Sequence, residues 1–532
     1  MPKAICYLCV LTLTFPTLFC LGQAPDWSST IASIIYENCT SCHREEGVAP
    51  MPLLTYDDAV QYAFSIQAQV NAKKMPPWPP DPNYNHFWGE RVLSETEIQA
   101  INDWVNAGMP AGDLSQAPDP PVYEGKSLMT DADDTIVLPH FTIPPPPPNG
   151  FDTYHTFVIK SGYTETKYIQ EVEFLPNTSV VHHIFVYHDT SDQSWIKDSL
   201  EAGPGFPGGG QGAFSDFAEY LFGWTPGSMM LKLPYGMGFA IPPGADWVVT
   251  IHYAPGTEGM IDSTIIKLKF AEGPTIRPVY SKRLMYWHKP YLLNGPFIIP
   301  ANTVKAFFER SDTFWEEKSL LQIQPHSHLI CVKWEIYMVD ANNDTTNILL
   351  IPEWDFYWQM GYILTKLMKI PVGAVIYGRA LFDNTVNNPN NPSNPPVTVT
   401  AGQSTYDEMM AVRASLLDYM PGDENYIIDS AFYGLPTVSQ PIPQKEKLPL
   451  RTYPNPVASQ LNFITDLPEP TLRWSLYHSA GKKVRQELLS KTRKGIFHGT
   501  IDVSDLPAGL YFLTVNCGNR QGSAKVIVSR DQ

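Results

Sequence analysis

The sequence predicts a multidomain, mainly β chain: a small all-α module, then a long β-rich region of sandwich or jelly-roll type, then a small β-sandwich. Three observations lead there. Fifty prolines among 532 residues fall in clusters, which suits linkers and β loops better than long helices. From about residue 150 to about residue 425, short apolar or alternating runs are separated by Pro/Gly turns. Examples are Thr156-Phe157-Val158-Ile159, Trp247-Val248-Val249-Thr250-Ile251 and Val332-Lys333-Trp334-Glu335-Ile336-Tyr337. Near the N-terminus, by contrast, Ser94 and Glu97 form a capping-box pattern before Ile98, Ile101 and Trp104, with Gly108 as the stop. At roughly 150 residues per domain the length gives three to four domains. A hydrophobic fraction of 43% with 12% aromatics excludes wholesale disorder. The 37 Lys and Arg against 54 Asp and Glu leave a net charge of −17, which argues against a nucleic-acid partner.

Residues 1–22 read as a secretory signal peptide: Lys3, then a short apolar core, then the small Gly22. A membrane anchor fits less well, because Pro16 interrupts the core, and Phe19 is too bulky to precede a lipid-modified Cys20. The chain is therefore expected to be exported. Of seven cysteines, Cys6, Cys9 and Cys20 lie in this leader, while Cys331 and Cys517 are far apart, so no disulfide framework is expected.

The remaining two cysteines define the module at residues 26–115. Cys39-Thr40-Ser41-Cys42-His43 is C-x-x-C-H, the attachment signature of a c-type haem. Two thiols add to the haem vinyl groups and the adjacent imidazole of His43 reaches the iron. There is no second cysteine pair to complete a zinc site. Met75, between Lys74 and the rigid Pro76-Pro77-Trp78, is the leading second axial ligand, with Met51, His86 and Met109 as competitors. The module is similar to the cytochrome c domains that precede certain bacterial oxygenases.

Residues 116–133 are expected to be a linker, and its Pro-, Asp- and Gly-rich composition continues to residue 150, with an unbroken proline run at 144–148. Beyond it the histidines cluster. His326 and His328 flank Ser327, and residues two apart on a strand share a face, so both rings can bind one ion. His182 and His183 are adjacent, so joint ligation there needs a twisted or bulged backbone. Either pair alone is read more readily as hydrogen-bonded surface histidine than as a metal site.

Their order is more specific: His182-His183, then His252-Tyr253, then His326-x-His328, then Asp407-Glu408-Met409. Over roughly residues 130–425 this resembles the copper type II, ascorbate-dependent monooxygenases, the peptidylglycine α-hydroxylating and dopamine β-monooxygenase family. The resemblance implies two tandem jelly-roll-like β-sandwich domains, here 134–275 and 276–425, each holding one copper ion. It implies that His182, His183 and His252 hold one copper, which delivers an electron. His326, His328 and Met409 hold the other, where dioxygen is activated. Met410 is the nearest rival to Met409. Imidazole suits both copper oxidation states and soft thioether favours Cu(I). Two departures stand out. Where the amidating enzymes carry an arginine and a tyrosine that grip a peptide carboxylate, this chain has Gln324 and Arg413, so a glycine-extended peptide is not the expected substrate. The disulfides of the animal enzymes are also missing.

The glycine-rich stretch at 203–210 is expected to be a flexible loop, and residues 383–396 a long loop between strands. After a linker at 426–448, residues 449–532 carry Tyr453-Pro454-Asn455-Pro456, Leu506-Pro507-Ala508-Gly509-Leu510-Tyr511 and a final alternating strand. This tail resembles the type A sorting domain of the type IX secretion system, which implies passage through the outer-membrane secretion machinery to the cell surface or the medium. The combined expectation is a secreted copper monooxygenase that hydroxylates a C–H bond of a small organic substrate with O2. Its cofactors are two copper ions and a covalently attached haem c. Electrons come from an external donor, ascorbate or another reductant, and pass through the tethered haem. The alternatives are an exported copper/haem electron carrier without hydroxylase activity, and a surface adhesion protein with structural metals.

Overall fold

The computed structural model describes residues 24–428 and 446–530, apart from 46, 48, 50, 124–126, 147–151, 177–180, 209–216, 226–227, 229, 254–255, 468–470, 479–482, 491–494 and 518–519. The leader at 1–22 and most of the linker at 426–448 lie outside the described residues. Two compact units emerge, Met1–Thr437 and Val438–Gln532.

The N-terminal part is helical: α1 (Ala32–Asn38), α2 (Tyr56–Gln61), α3 (Ala63–Asn71) and α4 (Glu95–Asn106). Helix α4 begins as the sequence requires. The Ser94 side chain accepts the Glu97 N–H, the Glu97 carboxylate accepts the Ser94 N–H, and Gly108 follows with φ +82°. Its apolar stripe of Ile98, Ile101, Trp104 and Val105 packs against Trp27, Ile31 and Ile35.

The rest of the first unit is β. Its strands are β1 (Thr153–Lys160), β2 (Lys167–Leu175), β3 (Val181–Asp189), β4 (Ala218–Trp224), β5 (Met237–Ile241), β6 (Asp246–Tyr253), β7 (Ile265–Phe270) and β8 (Arg277–Tyr286). They continue as β9 (Thr303–Arg310), β10 (Lys318–His326), β11 (Cys331–Val339), β12 (Thr345–Ile351), β13 (Tyr362–Ile370), β14 (Val375–Asn384) and β15 (Ala411–Asp418). Among the described residues, one nine-stranded sheet runs Asp134–Val137, β7, β2, β5, β8, β15, β10, β13, with Leu231–Lys232 beside β2. A five-stranded sheet (Phe206–Pro207, β1, β6, β3, β4) covers one end, sharing a core of Ile169, Val172, Ile184, Val186, Trp247, Val249 and Leu268. A four-stranded sheet (β9, β14, β11, β12) covers the other, around Leu320, Ile323, Trp334, Ile336, Ile376 and Val412. Strand β6 is buried along all eight residues, which is why its sequence is apolar on both faces rather than alternating.

Three details differ from the sequence expectation. The boundary placed at 275/276 falls within a continuous sheet, because β8 pairs in parallel with β5 (Arg277 opposite Met237). The end of the expected linker is docked: Ser127 and the Met129 N–H donate to Glu173 at 2.6 and 3.1 Å, and Lys267 donates to the Met129 carbonyl at 2.9 Å. Within the 203–210 loop, Phe206 and Pro207 form a short strand against Thr156 and His155.

The second unit contains β16 (Leu450–Tyr453), β17 (Gln460–Leu467), β18 (Thr471–His478), β19 (Lys483–Ser490), β20 (Gly495–Asp502), β21 (Gly509–Cys517) and β22 (Arg520–Val528). A sheet of Glu446–Lys447, β22, β21, β18, β19 and a sheet of β16, β17, β20 enclose Leu461, Phe463, Trp474, Leu513, Val515 and Val526.

Candidate functional site

His252 lies on β6 directly opposite His183 on β3, and the register then slips so that Tyr253 opposes Val181. His182 is thus the extra residue of a β-bulge, the irregularity two adjacent histidines need to share a ligand. The Nδ1 of His252 is 3.3 Å from Nδ1 of His182 and 3.3 Å from Nδ1 of His183. Two nitrogens each about 2.0–2.1 Å from one ion, at a tetrahedral angle, lie about 3.3–3.4 Å apart. The three rings therefore fit a single metal ion, and they form the one such group of His, Cys, Asp and Glu found among the described residues.

The Tyr154 ring stacks on His252 at 4.2 Å, and Oδ1 of the buried Asp152 lies 3.5 Å from His252 Nε2. Asp152 also accepts the Thr405 N–H at 2.6 Å and its hydroxyl at 3.1 Å, which ties the trio to the loop leading into Asp407-Glu408-Met409. Burial works to raise the Asp152 carboxyl, but hydrogen bonds from His252 and Thr405 outweigh it and hold it below its ordinary value. An acid facing the rear nitrogen of a ligating imidazole is what fixes a ring's orientation.

His326 ends β10 and His328 lies just beyond, their centroids 5.2 Å apart. Ser327 between them turns the other way and accepts the Trp334 indole N–H at 3.0 Å. His328 Nδ1 meets the Asp407 carbonyl at 3.1 Å, so Nε2 is the ring nitrogen that could serve a metal. The buried Glu408 carboxylate accepts the backbone N–H groups of His328, Ile330 and Met409. A Cβ at Gly402 would overlap the Asp407 carboxylate, so glycine lets this loop close. Met410 belongs to the apolar core, whereas Met409, though buried, lies outside it.

The two histidine sets meet rather than stand apart: the His183 and His326 rings are 5.8 Å apart. The resemblance implies two separate centres, and the contact arises because β3 and β10 belong to sheets that face each other. Phe356 packs on His182 at 4.7 Å, His328 at 5.8 Å and His183 at 6.4 Å. Burial, and then His252, hold His182 down at about 3, and burial brings His328 to about 4. His183 and His326 are pushed well below 6.5, again first by burial. Neutral imidazoles are the form that donates a lone pair to a metal.

In the helical part, Cys39 caps α1 and the His43 N–H returns to the Cys39 carbonyl at 2.9 Å. Cys39 and Cys42 are free thiols, and burial pushes Cys39 up to about 12. His43 Nδ1 lies 3.2 Å from the Met51 carbonyl, so Nε2 is the ring nitrogen that could serve a metal. Among the competing ligands, His86 pairs with Glu90 at 3.1 Å in solvent, and Met109 packs on the helical core. Met75 is half-buried at the turn following α3. Three further histidines stay apart from the cluster: His155 faces the Pro204 carbonyl, His188 faces Glu219, and His288 faces the Lys289 carbonyl. Sequence reasoning missed Asp152, Phe356 and Gln359, whose side-chain amide donates to the Phe356 carbonyl at 2.7 Å.

Residues 451–529 match the secretion system C-terminal sorting domain. No curated protein matches the chain. Among solved structures, the Ruminococcus gnavus β-glucuronidase in complex with uronic isofagomine is 8% identical, with 43% of this chain and 35% of that one covered and a TM-score of 0.12. The human OSCAR ligand-binding domain is 6% identical, with 47% and 99% covered and a TM-score of 0.12. The chain thus spans 35% of the glucuronidase's length, and at these TM-scores neither carries an argument about fold or activity. The sorting domain makes this a type IX secreted protein of the cell surface or the extracellular medium, whose tail engages the secretion machinery.

Proposed function

We propose that this protein is a secreted copper-dependent monooxygenase that hydroxylates a C–H bond of a small organic substrate, with a tethered c-type haem on its electron path. The observation that carries the reading is the convergence of five buried or half-buried imidazoles, three of them at metal-ligand spacing about the His182 bulge. His182, His183 and His252 would hold one copper ion through Nδ1. His328 through Nε2, His326 and the Met409 thioether would hold another. Cys39, Cys42 and His43 would attach the haem, with Met75 as its second axial ligand. Bound copper supplies one-electron chemistry with dioxygen, and the haem a further one-electron store.

The protein's own groups do the rest. Asp152 and Tyr154 orient His252, Glu408 fixes the backbone around His328, and Phe356 excludes water between the rings. Hydroxylation consumes two electrons and two protons per O2, placing one oxygen in C–OH and releasing the other as water. Ascorbate or another external reductant supplies the electrons. The haem motif is in contact with this region: Arg91 interacts with the Cys42 thiol and reaches Met360 Sδ at 3.4 Å, next to Gln359. Trp78 and Phe87 pack on Tyr362 at 5.8 and 5.5 Å.

The test is anaerobic reduction followed by O2 and candidate substrates, with products examined by mass spectrometry for one added oxygen atom. Product from the native protein and none from Met409→Ala supports the reading; copper loading without oxygen uptake on any substrate overturns it. That second outcome belongs to the alternative, an exported copper/haem electron carrier, which the 5.8 Å contact between His183 and His326 favours by leaving little room for a substrate between the sets.

A further inference from the structure

Arg283 on β8 and Arg413 on β15 are direct cross-strand partners. Like charges opposite each other weaken a sheet unless something between them carries the opposite sign. Arg413 is only 8% exposed, its Nε has no hydrogen-bond acceptor, and its guanidinium lies 4.0 Å over the Tyr220 ring. Arg283 lies 4.4 Å over the Tyr286 ring. The arginine–carboxylate ion pairs among the described residues belong to Arg277, Arg379 and Arg485 instead. A buried guanidinium without a carboxylate is unfavourable in the empty state and is therefore poised for an anion.

Both arginines open onto a cleft of about 420 Å³, lined also by Tyr220, Ser281, His188 and Glu219. Glu219 is at the rim, mostly exposed, and faces His188 at 3.5 Å rather than an arginine. Arg413 also lines a second cavity together with Gln322 and Gln324. Two facing guanidinium groups call for two negative charges. Their planar donor forks match phosphate oxygens bidentately, and a single carboxylate would leave one cation uncompensated. The volume lies within the range of small-molecule sites, about 300–1,000 Å³, and exceeds what one inorganic ion fills.

We infer that this cleft binds a small phosphorylated molecule, with Arg413 and Arg283 clamping its phosphoryl dianion. The site goes beyond the monooxygenase reading: none of its residues is a candidate metal or haem ligand, and Arg413 replaces the tyrosine with which the resembled family grips a peptide carboxylate. The test titrates the full chain with phenyl phosphate, inorganic phosphate and benzoate by calorimetry, with copper content measured on the same samples. Phenyl phosphate should bind saturably and more tightly than inorganic phosphate, and benzoate at least tenfold more weakly. Arg413→Gln should weaken phenyl phosphate at least tenfold while copper content stays unchanged. If that variant fails to fold, the half-exposed Arg283→Gln decides on the same tenfold criterion. Inorganic phosphate binding as tightly as phenyl phosphate would reassign the site to free phosphate and overturn the organic ligand. Absence of saturable binding, equal binding of benzoate, or unchanged binding in Arg283→Gln overturns the site altogether.

Discussion

One carboxylate oxygen of Glu408 accepts the backbone N–H of His328 at 3.1 Å, while the other accepts that of Ile330 at 3.3 Å. The side chain before Met409 thereby staples the histidine loop to the methionine loop. Burial raises the Glu408 carboxyl to about 8 against the pull of these donors. Glu408→Ala leaves three buried N–H groups without their acceptor, at about 1 kcal/mol or more each. A loss of about 3 kcal/mol in unfolding free energy is expected, seen as a lower urea midpoint, with weaker copper binding. An unchanged midpoint would mean that the staple is dispensable.

His252 and Asp152 should separate a ligand from its orienting partner. Asp152→Asn should weaken copper binding by about 10- to 100-fold, the usual effect of losing an outer hydrogen bond. His252→Ala should remove one equivalent of copper altogether. Anaerobic titration with a Cu(I) chelator distinguishes the two. Equal losses would place Asp152 on the metal itself.

The adjacent methionines give a sharper contrast. Met410 packs in the apolar core, so Met410→Ala should cost about 2–5 kcal/mol and leave copper content intact. Met409→Ala should lose product formation and Cu(I) affinity. Thermal melts and metal analysis on the pair check both outcomes, and reversed phenotypes would exchange the two assignments.

Much of this was legible in the sequence, for physical reasons that can be traced. The capping box at Ser94 and Glu97 is a local code, and α4 begins there. Strand parity required a bulge at His182-His183, and the register slips at that point. Asp152 was not legible because it follows a proline-rich run with no periodicity, and only the fold carries it to His252, one hundred residues away. Phe356 sits in the connection between β12 and β13, where an apolar residue looks like any other. The contact between His183 and His326 depends on two sheets meeting, which no local pattern encodes.

Haem ligation is testable apart from turnover. Thioether ligation raises an iron potential, so Met75→Ala should lower the midpoint potential while the haem remains covalently attached. Spectroscopic redox titration reads this directly, and an unchanged potential would move the axial ligand elsewhere.

Acid stability should depend on Asp423. This buried carboxylate receives both terminal nitrogens of Arg277 at 2.7 and 2.9 Å and the Ser319 hydroxyl at 2.6 Å. Burial works to raise it, but these donors outweigh it and hold it below the ordinary value. A depressed carboxyl stabilises the fold above its unfolded pKa, about 3.9, and loses that contribution as pH falls through the lower folded value. Asp423→Asn should therefore cost about 3 kcal/mol at neutral pH. The difference from the native protein should shrink below about pH 4, and denaturant midpoints at pH 7 and pH 3 test it.

The slip at His182 also makes the centre sensitive to chain length in a way that point substitutions are not. Deleting His182, the unpaired residue between Val181 and His183, would smooth β3 into a regular ladder with more complete backbone pairing, yet only one imidazole would then remain at that point of the strand. A more orderly strand would thus be a strand that cannot chelate, and relatives that keep the chemistry must keep the irregularity along with the histidines.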